Sequence, residues 1–208
     1  MISIKLLDNA QAVSKKVNTA IASAINSKIK NRQSSITSQA KSLALQWLMS
    51  QPEISSLAGG ELAGAFGLPV GSGPSVISAI SSAFTNSIYS EVKLFDQNLK
   101  SGGIFIYFQP SDFSNLLSLP AGHVVYGLGD LHWLQWLLER GDQVIVAGYS
   151  YNAKSGLGRS RLGYMEEGGV FRVPPEFSGT ESDNFITRAL IGSYQENEIS
   201  KILQKALS

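Results

Sequence analysis

The chain has 208 residues, of which 43% are hydrophobic and only 16% charged, where an average soluble domain has about 25% charged. It has no cysteine, which excludes disulfides, thiolate metal sites and cysteine nucleophiles. Net charge is +1, but residues 1–42 hold seven basic residues against Asp8 alone, while residues 43–208 hold ten basic and fifteen acidic ones.

A basic arm therefore precedes an acidic body. Such an arm suits contact with nucleic acid, docking on the acidic body of a neighbouring copy, or a solvated lysine face on a helix. The low charged share suits a protein that buries surface against partners, and equally a plain Ser/Gly-rich chain. The length fits one sizeable domain or a domain with an appendage. The N-terminus lacks the apolar core of a signal peptide. No stretch reaches the roughly 18–20 apolar residues of a membrane span. The expectation is a soluble protein made in the cytoplasm, with no membrane partner.

In chain order, residues 2–7 (ISIKLL) suit a short strand. From Asn9 to Lys30, Val13, Val17, Ala20, Ile21, Ala24, Ile25 and Ile29 recur at spacings of three and four and mark one face of a long helix. The segment NRQSS breaks the pattern. Ser34 or Ser35 is placed to cap a second helix through Met49, giving a helical hairpin or one kinked helix. Pro52 and Glu53 open a further helix. Glycine-rich short helices and a loop at Pro69–Pro74 follow. A helix is expected from Ser75 to Lys93, with Val76, Ile77, Ile80, Phe84, Ile88 and Val92 as its stripe.

The second half reads as strands at 102–110, 123–129, 142–150 and 169–174. A tryptophan-rich helix at 130–142 is capped by Asp130 and stopped by Gly141. Residues 151–166 form a polar, basic loop or hairpin arm. Pro174 and Pro175 end strand pairing, since they carry no N–H. Thr180 to Asp183 matches a capping box, ahead of a helix with Phe185, Ile186, Ala189 and Leu190 on its buried side. Helices, then strands with inserted helices, then helices indicate an α+β fold. Long N-terminal amphipathic helices pack on a small antiparallel or mixed sheet, with helices again at the C-terminus. The division is a helical region at 1–50 and an α+β body at 51–208 with a projecting loop at about 151–164.

Candidate chemistry is sparse. YGLGDLHW (126–133) sets glycines between a strand and a helix, but the G-x-G-x-x-G pattern fails and no phosphate loop is present. His132 can pair with Asp130 or Glu139, yet two histidines without HExxH spacing are a weak metal signal. Glu166 and Glu167 are adjacent, so on a strand they face opposite ways. No catalytic, cofactor-binding or metal residue is assigned. The residues that remain are Lys15, Lys16, Lys28 and Lys30 on the first helix and Lys154, Arg159 and Arg161 on the arm. These are candidates for contact with a neighbouring copy or with DNA. Trp133 and Trp136 are candidate core or interface anchors.

The stretches LHWLQWLLERGD, SRLGYME and FRVPPEFSGTESDNFITRAL resemble small neck and tail-completion proteins of tailed bacteriophages. The resemblance covers about residues 100–191; the N-terminal helices match in general character only. It implies a non-enzymatic structural subunit of the virion, made in the host cytoplasm. Such a subunit forms a ring with its own copies at the head-to-tail junction, in a neck, tail-completion or tail-terminator role, without a cofactor. Its partners would be other connector or tail proteins, with non-specific contact to genomic DNA in the channel. The alternatives are a phage-associated small hydrolase and a nucleic-acid-binding protein.

Overall fold

The computed structural model describes residues 9–126 and 129–207; the strand expected at 2–7 lies outside them. The fold is α+β. It begins with α1 (Ala10–Met49), an uninterrupted helix of 40 residues, about 60 Å long at 1.5 Å per residue. Asn9 caps it, its side chain accepting from the Ala12 N–H. The hairpin or kink expected at NRQSS does not form. Asn, Arg, Gln and Ser lower helix propensity by only tenths of a kcal/mol each, and no glycine or proline interrupts the turn.

The middle of α1 is held by polar bonds. The Asn26 amide pairs with both the N–H and the carbonyl of Phe95 at 2.8 and 2.9 Å. Gln33 donates to the Ser90 carbonyl, and the Thr37 hydroxyl meets that of Ser90. These bonds seat α1 on the antiparallel hairpin of β1 (Tyr89–Lys93) and β2 (Gly103–Tyr107). The helix expected to run to Lys93 is therefore corrected. The helix here, α4 (Gly73–Ser87), ends at Ser87, and Val92 lies in a strand opposite Ile104.

Between α1 and α4 lie α2 (Pro52–Gly59), started by its proline, and α3 (Glu61–Ala65). After β2 come α5 (Ser114–Leu117) and a 3-10 turn at Pro120–Gly122. Next is a second hairpin of β3 (Val124–Tyr126) and β4 (Gly129–Leu131), then α6 (Trp133–Leu138). The third hairpin is a ribbon of β5 (Val144–Ala153) and β6 (Gly163–Arg172). The chain closes with α7 (Phe185–Leu190) and α8 (Ser193–Leu207). Among the described residues the strands form three separate two-stranded antiparallel sheets, so no continuous sheet underlies the helices.

The core gathers instead around helices. Ala44, Trp47 and Leu48 at the end of α1 share one buried cluster with residues of α2 to α7. Trp133 is fully buried and stacks on Phe66 with ring centroids 5.5 Å apart. Trp136 is half-buried against the same cluster. Gly64 of α3 is needed there, because a Cβ at that position would run into the Tyr151 hydroxyl of β5.

Asn184 closes the C-terminal end of this core. Its side chain accepts from the N–H groups of Ile186 and Thr187 and donates to the carbonyls of Leu138 and Thr180. The capping box is thus formed by Asn184 and Thr187, not by Thr180 and Asp183, and the helix starts at Phe185. Thr180 instead closes a turn onto the Asp183 N–H.

Candidate functional site

Two regions stand apart from the core: the outer face of α1 with the β5–β6 ribbon, and a histidine–aspartate cluster on the β3–β4 hairpin. The first is built by helical geometry. Residues four apart on a helix drift around it by about 40° per step, since each residue advances about 100°. Val13, Val17, Ile21, Ile25 and Ile29 form such a row. Their exposure changes along it: 41%, 51% and 41% for the first three, then half-buried Ile25, then 2% for Ile29. The row winds from solvent into the body. The body-facing side of α1 is made by Ala22, Ile29, Ile36, Ala40 and Ala44. Val13, Val17 and Ile21, read from sequence as one face of the helix with Ala20, Ala24, Ile25 and Ile29, are exposed together with Ala20 and Ala24, and no described residue of α1 before Ala22 is buried.

The sequence-selected lysines of α1, Lys15, Lys16, Lys28 and Lys30, are all exposed. By helical angle, Lys15, Lys16 and Lys30 share an arc of about 100°, while Lys28 falls beside Val17 and Ile21.

The ribbon is the second exposed apolar surface. Val144, Val146, Tyr149, Met165 and Val170 are 40–50% exposed, and both strands are open to solvent over Val146–Tyr149 and Met165–Val170. Glu166 and Glu167 sit on this open stretch, opposite Ser150 and Tyr149. A two-stranded ribbon this bare is marginal unless something packs on it.

The arm expected to project at about 151–164 is partly docked. Strand pairing runs to Ala153 and resumes at Gly163. Tyr151 and Leu162 pack against the core, and the Tyr151 hydroxyl donates to the Leu162 carbonyl. Burial pushes that phenol above its ordinary pKa, and nearby Glu61 adds to the effect. Ser160 is buried, and Arg159 reaches the Val125 carbonyl at 3.1 Å. Lys154 and Arg161 remain exposed at the turn.

The histidine–aspartate cluster was half legible: the sequence offers Asp130 as a partner of His132 but leaves His123 out. The stretch taken as one strand at 123–129 is a hairpin. Its register pairs Val124 with Leu131 and Val125 with Asp130, so His123 and His132 flank the ladder opposite each other. Side chains two apart on a strand share a face, which places Asp130 on the same side. Asp130 is therefore not a helix cap. Its carboxylate meets His123 Nδ1 at 2.8 and 3.0 Å and His132 Nε2 at 3.4 Å. The two imidazoles stack with centroids 5.1 Å apart. The alternative partner of His132, Glu139, is taken by the Gln135 amide. The signal was in the spacing: His123, then the D-x-H of Asp130 and His132 after a short glycine-containing segment.

Among the described residues no helix is long and apolar enough to cross a membrane. Compared with known proteins, the chain matches no family model, no curated protein and no solved structure.

Proposed function

We propose that the chain is a structural subunit of the virion at the head-to-tail junction of a tailed phage, of neck, tail-completion or tail-terminator type. It closes into a homo-oligomeric ring and performs no turnover. The identity of the assembly comes from the resemblance of residues 100–191. The assembling behaviour is supported by one observation: the first turns of α1, where no described residue before Ala22 is buried, carry an exposed apolar stripe of Val13, Val17 and Ile21.

The surface area fits that reading. The chain exposes 12189 Å², where a compact monomer of 22.4 kDa exposes about 9,400 Å². The excess of about 2,800 Å² exceeds the roughly 1,600 Å² a subunit gives up to two ring neighbours at about 800 Å² each. A ring contact is heterologous, one face meeting a different face of the next copy. The basic, valine-lined helix and the acidic, valine- and tyrosine-lined ribbon are two such faces. Flanking connector or tail proteins would take the remaining surface. Lysines on a channel wall would meet genomic phosphate without sequence preference.

The test is mass in solution across concentration, by light scattering after size exclusion, alone and mixed with head and tail components. Discrete oligomers, or a monomer that joins only when such a component is present, are expected. A monomer indifferent to concentration and to every component overturns the reading and returns the hydrolase and nucleic-acid-binding alternatives.

A further inference from the structure

We propose that His123, Asp130 and His132 form a three-donor site for a divalent late transition-metal ion, zinc in the first instance, which clamps the open end of the β3–β4 hairpin. This stands apart from the assembly reading and uses none of its surfaces. The donor atoms of the three residues all lie within 4.8 Å of one another. A metal held tetrahedrally at about 2.0–2.2 Å from each donor sets neighbouring donors about 3.3–3.6 Å apart. One oxygen, Asp130 Oδ2, already lies 3.0 Å from His123 Nδ1 and 3.4 Å from His132 Nε2. One edge of a coordination tetrahedron is thus in place, and a second opens to it by a few tenths of an ångström.

The third edge closes by a side-chain rotation. The rings are nearly parallel, 11° apart, so their in-plane lone pairs do not yet converge. The His132 side chain is 58% exposed, and its χ2 torsion is broad. Turning it brings its lone pair toward that of His123. The carboxylate is hydrogen-bonded to His123 and lies 3.4 Å from His132 Nε2, which keeps the donors together.

The donor set selects the ion. Two imidazoles and one carboxylate suit zinc, cobalt, nickel or copper, and magnesium and calcium poorly, since those prefer all-oxygen shells. Three protein donors leave a position for water or an added ligand. The clamp has a physical purpose. The hairpin pairs only three residues on each strand, a ladder of marginal stability by itself. His132 is also the N-cap residue of α6 but gives no side-chain cap bond, so its ring is available. Arg159, bonded to the Val125 carbonyl on the same hairpin, is a cation the site must tolerate.

The experiment uses the full chain, tag removed and stripped with chelator. Cobalt is titrated while following its visible absorption, and zinc by competition calorimetry, with magnesium and calcium as controls. One saturable site per chain for zinc and cobalt is expected. Amide hydrogen exchange across Val124–Tyr126 and Gly129–Leu131 should slow when zinc is added. His132→Gln and Asp130→Asn, both at exposed side chains, should keep the circular dichroism of the parent and weaken binding roughly tenfold or more, because even loss of an outer-shell partner costs about 10–100-fold. Absence of saturable binding overturns the proposal. So does binding unchanged in both variants, which would mean adventitious metal only, and so does equal uptake of magnesium.

Discussion

Glu53 of α2 and Arg188 of α7, 135 residues apart, form an ion pair in which the carboxylate is fully buried while the guanidinium is 36% exposed. Arg188 uses its other arm to reach Asp183 at 2.9 Å. The second Glu53 oxygen has no hydrogen-bond partner among the described residues. Arg188 is thus the counter-charge that makes the burial of Glu53 tolerable, and it ties the first half of the chain to the last.

Arg188→Ala should therefore destabilise the fold by about 3 kcal/mol, the range for removing one partner of a buried pair. A double variant with Glu53→Met and Arg188→Met should regain most of that, since an apolar replacement leaves no unpaired charge. Urea unfolding midpoints at constant slope measure both. A double variant no better than Arg188→Ala would show that the pair is not the main cause.

Asn184 makes four side-chain hydrogen bonds from a fully buried position. Asn184→Ala is expected to cost about 2 kcal/mol, the upper end for a helix cap, and more through the carbonyls it leaves unpaired. Thr180→Ala, at the position the sequence pattern favoured, should cost less than about 1 kcal/mol, as the loss of one exposed hydrogen bond. The same unfolding series ranks the two. The reverse order would mean that α7 starts earlier than Phe185.

The difference between these two positions shows what was legible in the sequence. The element types of the C-terminal half were readable, because alternating residues and Pro174–Pro175 are local signals. The cap was not: Thr180 and Asn184 both suit a helix start, and the choice is made by the Leu138 carbonyl, 46 residues away. Hairpins failed for a related reason. Residues 123–129 show a strand but not its fold-back onto Asp130, and residues 88–93 continue an apolar period that only pairing with β2 converts to a strand. The apolar row of α1 was visible as a pattern, but periodicity does not say whether its partner is this chain or another.

That row gives a paired prediction. Ile29→Ala, at the buried end, should destabilise the fold by about 2–5 kcal/mol through transfer and cavity terms. Val17→Asp, at the exposed end, should change stability by about 0.5 kcal/mol or less and abolish or sharply weaken self-assembly. Thermal unfolding and light scattering on the same samples separate the effects. A Val17→Asp variant that assembles like the parent would remove the outer stripe from the contact.

The charges bordering that stripe allow the contact itself to be tested. Lys28 is exposed on α1 at the helical angle of Val17 and Ile21, Lys16 is exposed about 60° round the helix from Val13, and Glu166 and Glu167 are exposed on the ribbon. If the helix of one copy lies on the ribbon of the next, Lys16→Glu with Lys28→Glu places like charges together. Assembly should then weaken, and the parent protein should also assemble less readily as salt rises, because exposed charges are screened beyond about 8–10 Å. Adding Glu166→Lys with Glu167→Lys, one on each face of the ribbon, to the same chain restores opposite signs whichever face the helix meets and should recover assembly. Each pair alone must fail and the combination must succeed, a pattern that general loss of stability cannot produce. Sedimentation velocity on the three variants reads it directly. Failure of the combination alongside failure of both pairs would leave these lysines facing some partner other than the ribbon, and genomic phosphate then becomes the first alternative to measure, by the salt slope of DNA binding.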